Sequence, residues 1–297
     1  TGSVIRADAL RSVGGASTLS ITEDLHTAML LQRAGWRTIH HNEPIARGLA
    51  PRNYAEFSKQ RWRWGAGAMQ SFAVDFPLTT PGLTKGQRFA YLSSFASWFD
   101  SWRNVAYFMV PLLVLTTGAS PISSPVVPLL PAALAVTAAQ LGVVRLMGRG
   151  ALRLWFAAVN EFLRMPVNLS ATLVFLRPRT LGFSVTPKGR TDGARTQYRA
   201  PLLLRLMVIS AVSAGLFGVA SLAGRTPVTY TSSSIVAIAV FWLCANLGVL
   251  VWAIRRIGGP RSGSEQRGAV RLQIAAVVRL AGRSAELVDL SMSGARL

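Results

Sequence analysis

The spacing of charged positions divides the chain before any single residue is weighed. Residues 104–144 carry no charged side chain, a run of 41 positions. A membrane-spanning helix needs about 20 apolar residues, so the run predicts two helices. Gly118-Ala-Ser-Pro121-Ile-Ser-Ser-Pro125 places a turn between them. Charge-free runs at 206–224 and 226–254 predict two more. The expected spans are 104–118, 126–146, 203–223 and 232–254. The first is short unless it begins near Tyr91 and accommodates Asp100 and Arg103. Residues 54–72 set Phe57, Trp62, Trp64, Met69 and Phe72 among Lys59, Arg61 and Arg63. Residues 151–176 set Trp155, Phe156 and Phe162 among Arg153 and Arg164. Aromatics interleaved with arginines suit helices lying on a membrane face.

Before the spans the pattern is that of a water-facing domain. Residues 3–6 and 36–40 read as short strands. Between them Thr22 is a good N-cap, with Glu23 and Asp24 complementing the dipole in the first turn. Leu25, Met29 and Gln32 continue the helix, and Gly35 ends it as a C-terminal cap. This rhythm predicts the C-terminal part of an α/β domain, with its opening strands before Thr1. After the spans, residues 270–278 and 285–290 read as the first strands of a small β-barrel. The expected architecture is therefore mixed: 1–90, the end of an α/β domain with an interfacial helix; 91–254, a helical transmembrane region holding a loop at 177–200; and 255–297, a hinge and the start of the barrel.

Composition changes the picture in one respect. Hydrophobic residues make up 51% of the 297, yet 32 basic residues against 12 acidic ones give a net charge of +20. Mean hydropathy is +0.36. So apolar a chain is not disordered, and one cysteine, Cys244, excludes a disulfide scaffold. A nucleic-acid binder would explain the charge but not the apolar runs. The basic residues cluster between the second and third spans and after the fourth, whereas the 118–125 turn has none and the 224–231 turn has Arg225 alone. The positive-inside rule then puts both ends and the central segment in the cytoplasm. The chain opens with neither a methionine nor a signal peptide, and is expected to be a fragment of a longer protein.

Five short motifs follow one another along this layout. Thr22-Glu23-Asp24 is a T-E-D. Gln60-Arg61-Trp62-Arg63-Trp64, 36 residues beyond Asp24, is Q-x-x-R-W. Phe183-Ser-Val185-Thr186-Pro-Lys188 is F-x-V-T-x-K. Arg267-Gly-Ala-Val-Arg271 is R-x-x-x-R, and Asp289-Leu-Ser291-Met-Ser-Gly294 is D-x-S-x-x-G. In this order the chain resembles the processive family 2 glycosyltransferases, in particular the catalytic subunits of bacterial cellulose synthases, which end in a PilZ domain. The resemblance implies a multi-pass enzyme of the bacterial inner membrane. It would add glucose from UDP-glucose to a growing β-1,4-glucan chain with inversion, translocate that chain through the bilayer, and respond to cyclic di-GMP. It also implies a periplasmic accessory subunit and no nucleic acid polymer as partner. Mg²⁺ would be held by carboxylates upstream of Thr1, so the fragment alone is expected to be inactive.

The residue types suit these roles. Inverting transfer needs a base for the acceptor hydroxyl, and Asp24 is the candidate, with Glu23 and Thr22 beside it. Arg61 and Arg63 match a diphosphate leaving group, since guanidinium pairs bidentately with phosphate oxygens. Gln60 completes the motif, and Trp64 offers a flat face for the acceptor sugar. By resemblance, Phe183 and Val185 approach the nucleotide base in a gating loop, and Thr186 and Lys188 its phosphates. Arg267 and Arg271 suit the phosphates or guanines of cyclic di-GMP. Asp289 and Ser291 would add polar contacts there, and Gly294 a tight turn. Each motif also has a plainer reading: a capped helix start, an interfacial helix, a basic loop, and a juxtamembrane patch on anionic lipid. His26, His40 and His41 lack metal-ligand spacing and read as non-ligands. Two rival functions remain. One is a related synthase making a β-1,3-glucan or an amino-sugar polymer. The other is a non-enzymatic membrane receptor for cyclic di-GMP, which would have no use for T-E-D or Q-x-x-R-W.

Overall fold

The computed structural model describes residues 3–40, 51, 53–120, 130–148, 153–176, 199–258, 272–280, 283–291 and 294–296. These are mostly helical. In order they form α1 (Ala7–Ser12), α2 (Glu23–Arg33), α3 (Tyr54–Val74), α4 (Lys85–Ala96), α5 (Asp100–Thr117), α6 (Leu130–Gly148), α7 (Leu154–Thr172), α8 (Leu202–Leu222) and α9 (Ser233–Gly258). Three strands follow: β1 (Leu272–Leu280), β2 (Arg283–Ser291) and β3 (Gly294–Arg296).

The strands expected at 3–6 and 36–40 are not formed. Neither segment forms a ladder. Alternation marks a segment that can pair, but a strand exists only where a neighbour supplies hydrogen bonds, and no described segment does so here. The helix between them is as expected. Gly35 takes φ +87°, its N–H reaches the Gln32 carbonyl at 3.1 Å, and the Trp36 N–H reaches that of Leu31 at 3.0 Å. That pair of bonds is a Schellman C-cap. Thr22 occupies the N-cap position of α2, but its side chain makes no capping bond.

Two apolar cores organise the helices. The larger is built from α5, α7, α8 and α9 around Phe108, Leu115, Phe162, Met165, Leu204 and Leu250. The smaller joins α2, α3 and α4 through Met29, Ala68, Met69, Leu83 and Phe95. Helix α3 belongs to both: it packs along α7, and its other flank meets α2 and α4. At the far end of α5, Gly118 adopts φ +71° and sits against the Thr229 carbonyl, while the Tyr230 hydroxyl donates to the Leu115 carbonyl at 2.7 Å. The turn between α8 and α9 is thereby joined to the end of α5.

Among the described residues, two helices are long and apolar enough to cross a membrane, Leu202–Leu222 and Ser233–Ile257. They coincide with the third and fourth expected spans. Helix α5 covers the first but opens on Asp100, Arg103 and Asn104. In α6, Leu134–Gly148 is a shorter apolar stretch that exposes Leu134, Val136, Leu146 and Met147. The three strands form one antiparallel sheet in the order β1-β2-β3, placing strands where the sequence expects them; a closed barrel is not seen.

Candidate functional site

The T-E-D turn is held in place by α3. Ser20 and Thr22 share a hydrogen bond between their hydroxyls at 3.0 Å, and the Ser20 hydroxyl donates to the Gly67 carbonyl at 2.9 Å. The Ile21 N–H donates to Gln70 Oε1 at 3.1 Å. Thr22 itself is buried and seated in the notch that Gly67 leaves. A Cβ at Gly67 would lie 2.4 Å from Thr22 Oγ1 and 2.6 Å from its methyl. Glu23 and Asp24, the next two residues, are exposed, and Asp24 Oδ1 accepts the Leu25 N–H at 2.8 Å.

The residues of α3 that receive this turn, Gly67 and Gln70, continue a helical face. At 3.6 residues per turn, positions 60, 63, 64, 67, 70 and 71 fall on one side of the helix. Gln60, Arg63 and Trp64 therefore share the face on which T-E-D docks. Trp64 keeps 45% of its surface exposed, leaving its ring accessible.

Arg61 belongs to a different side, with Gly65, Ala68 and Phe72. Its guanidinium lies over the Trp98 ring, 4.4 Å from the centroid, and its Nε donates to Asn168 Oδ1 at 3.2 Å. Burial, and then the charge of Arg164, lower its pKa, with Glu161 opposing. Gly65 lets the same side close on α7, since a Cβ there would lie 2.8 Å from that of Ala171 and 2.9 Å from the Trp98 ring. The two arginines grouped by the sequence thus separate: Arg61 ties α3 to α7 and Trp98, whereas Arg63 stands with Gln60 and Trp64.

Phe183, Val185, Thr186 and Lys188 lie outside the described residues, as do Arg267 and Arg271. Asp289 and Ser291 lie on β2 and Gly294 on β3. Asp289 pairs with Gln273 on one side and Arg296 on the other, and Ser291 pairs with Gly294. D-x-S-x-x-G therefore straddles the join of two antiparallel strands.

Sequence reading missed the residues that support the turn: Ser20, Gly67, Gln70 and, further along α3, Asp75. The signal was present, because Gly67 and Gln70 continue the three-and-four spacing of Gln60, Arg63 and Trp64.

A family model described as glycosyl transferase family group 2 matches residues 1–140, a stretch that includes both motifs. The chain is also similar to three bacterial proteins. A cellulose synthase catalytic subunit (UDP-forming) of Komagataeibacter sucrofermentans is 40% identical over 115 residues, 39% of this chain and 15% of the relative. Cellulose synthase 1 of Komagataeibacter xylinus is 33% identical over 187 residues, 63% of this chain and 12% of the relative. A cellulose synthase catalytic subunit (UDP-forming) of Pseudomonas fluorescens is 30% identical over 187 residues, 63% of this chain and 25% of the relative. The chain is homologous to bacterial cellulose synthase catalytic subunits, and spans between an eighth and a quarter of the length of these relatives.

Proposed function

We propose that the chain is the acceptor-side and membrane portion of an inverting processive glycosyltransferase that extends a β-1,4-glucan from UDP-glucose. The observation that carries this reading is the shared face of α3, on which the T-E-D turn docks beside Gln60, Arg63 and Trp64. Asp24, exposed at the start of α2, takes the proton of the acceptor hydroxyl as that oxygen attacks the anomeric carbon. The C–O bond to the diphosphate breaks on the opposite side, and Arg63 stabilises the charge on departing UDP. Trp64 stacks on the terminal sugar of the chain.

The family reading also implies Mg²⁺. Among the described residues no three of His, Cys, Asp and Glu come together as a metal set, so no step here is routed through a metal. The same proposal places the protein in the bacterial inner membrane with α8 and α9 crossing it, and gives the 183–188 loop to the nucleotide. The sheet, with Arg267, Arg271, Asp289 and Ser291, is given to cyclic di-GMP as activator.

The test is Asp24→Asn in the full-length protein, assayed by UDP release in membranes. Turnover falls by at least about a hundredfold, within the range of a lost general base, while labelled UDP still binds. Retained turnover would overturn the assignment of the base. Titration of labelled cyclic di-GMP onto the same preparation checks the regulatory half, which fails if no binding is seen.

A further inference from the structure

Among the described residues, His26 is the one ionisable side chain that is fully buried, with no exposed surface, and the proposed chemistry does not use it. Burying an imidazole is costly unless both ring nitrogens are satisfied, and both are. Nε2 meets Asp75 Oδ2 at 2.8 Å, and Nδ1 meets Ser17 Oγ at 2.6 Å. Asp75 is the C-cap residue of α3, and its other oxygen accepts from Arg33 at 2.7 Å. Ser17 Oγ also accepts the Leu19 N–H at 3.2 Å, and the Ser17 N–H donates to Thr27 Oγ1 at 2.9 Å.

In a neutral ring these partners assign the tautomer. A carboxylate only accepts, so Nε2 carries the proton and donates to Asp75. The Ser17 hydroxyl then donates to the bare Nδ1 while accepting from Leu19. Both ring nitrogens and both Asp75 oxygens are used, and the Asp75 charge is balanced by Arg33.

The cluster joins three pieces of chain: the segment entering T-E-D, the first turns of α2, and the far end of α3. His26 stands one helical turn after Thr22, to whose carbonyl its own N–H is bonded at 3.3 Å. It is two residues from Asp24, and so about 200° around the helix from it. The inner face of α2 is pinned, and Asp24 lies on the outer face. Rotation of α2 about its axis would swing the carboxylate relative to Gln60, Arg63 and Trp64. The Ser20 and Ile21 bonds fix where the turn sits on α3; the His26 bonds fix how α2 is rotated once it is there.

We infer that His26 is a positioning residue for Asp24, acting through its bonds to Asp75 and Ser17 and touching neither donor nor acceptor. The inference rests on the reading of Asp24 as the base. It is tested in the full-length membrane enzyme with His26→Phe, which fills the space without either bond, and His26→Gln, whose amide nitrogen reaches toward Asp75. Turnover is counted per labelled-UDP site, so that loss of folded protein lowers the number of sites and not the rate per site. His26→Phe lowers turnover per site by about ten- to a hundredfold, the scale of a misplacement near 1 Å. Its KM for UDP-glucose stays within about twofold, because donor binding does not depend on the rotation of α2. His26→Gln recovers most of the rate. The inference is overturned if His26→Phe keeps its turnover per site, if it loses only sites, or if His26→Gln is no better than His26→Phe. Asp24→Asn is run alongside: an active Asp24→Asn removes the underlying reading, whereas an inactive one beside an unaffected His26→Phe removes this inference alone.

Discussion

Gly67 carries a large part of the arrangement through having no side chain. The space a Cβ would fill belongs to Thr22, a buried β-branched residue with few rotamers to yield. Gly67→Ala therefore pushes the T-E-D turn off α3 or bends the helix away from it. Overpacking of this kind costs about 1–3 kcal/mol. UDP release by the full-length variant should fall well below the loss of folded protein measured on the same sample; equal losses would mean that the notch serves stability alone. This scale was only partly legible in the sequence. The residues proposed for the chemistry, Asp24, Gln60, Arg63 and Trp64, stand out by type and spacing. Their supports, Ser20, Gln70 and Asp75, are ordinary polar residues, and their partners lie 47 to 49 residues away along the chain. No local pattern reports a bond of that span.

Among the elements, α3 is the one on which the rest depends. One side receives T-E-D and presents Q-x-x-R-W; the other closes on α7 through Gly65, Arg61 and Trp98. The expected interfacial helix is thus a helix with two packed sides, its segment from Gly65 to Ser71 buried. Arg61 carries its charge into this contact with an aromatic face and an amide oxygen as partners, and Asn168 keeps its Nδ2 buried without a bond. Removing the guanidinium leaves the Asn168 side chain unsatisfied at both ends. Arg61→Leu should consequently lower the thermal midpoint of the solubilised protein, by the roughly 1–3 kcal/mol of a stranded buried polar group. It should leave the affinity for labelled UDP near wild type, and a loss of UDP affinity without loss of stability would return Arg61 to the diphosphate. Helix limits were the most legible feature at this scale, because caps and charge breaks are local: Gly35 and the α8 and α9 runs read directly. The strands at 3–6 and 36–40 misled, since alternation describes a face and pairing requires a neighbour.

For the whole molecule, the two cores meet at α3, so the N-terminal segment and the helical bundle are coupled through that helix. The far end of the bundle is closed by a different device. The last carbonyls of a helix have no partner within it, and Tyr230 supplies one for Leu115 from the turn between α8 and α9. Tyr230→Phe removes that donor at a cost of about 1 kcal/mol. The thermal midpoint should drop by about 2–4 °C, with turnover at low temperature unchanged; an unaltered midpoint would show that lipid or water replaces the hydroxyl. The two-core layout was not legible in the sequence, which shows which faces are apolar but not which of them meet.

The Tyr230–Leu115 bond also has a consequence for how the protein is made. The two residues are 115 positions apart, and a ribosome adds about 5–20 residues per second. The end of α5 therefore waits roughly 6–23 s before the residue that seals it has been synthesised. In that interval α5 has neither Tyr230 nor the α8–α9 turn at Gly118, so the carbonyls at its end are open to other partners.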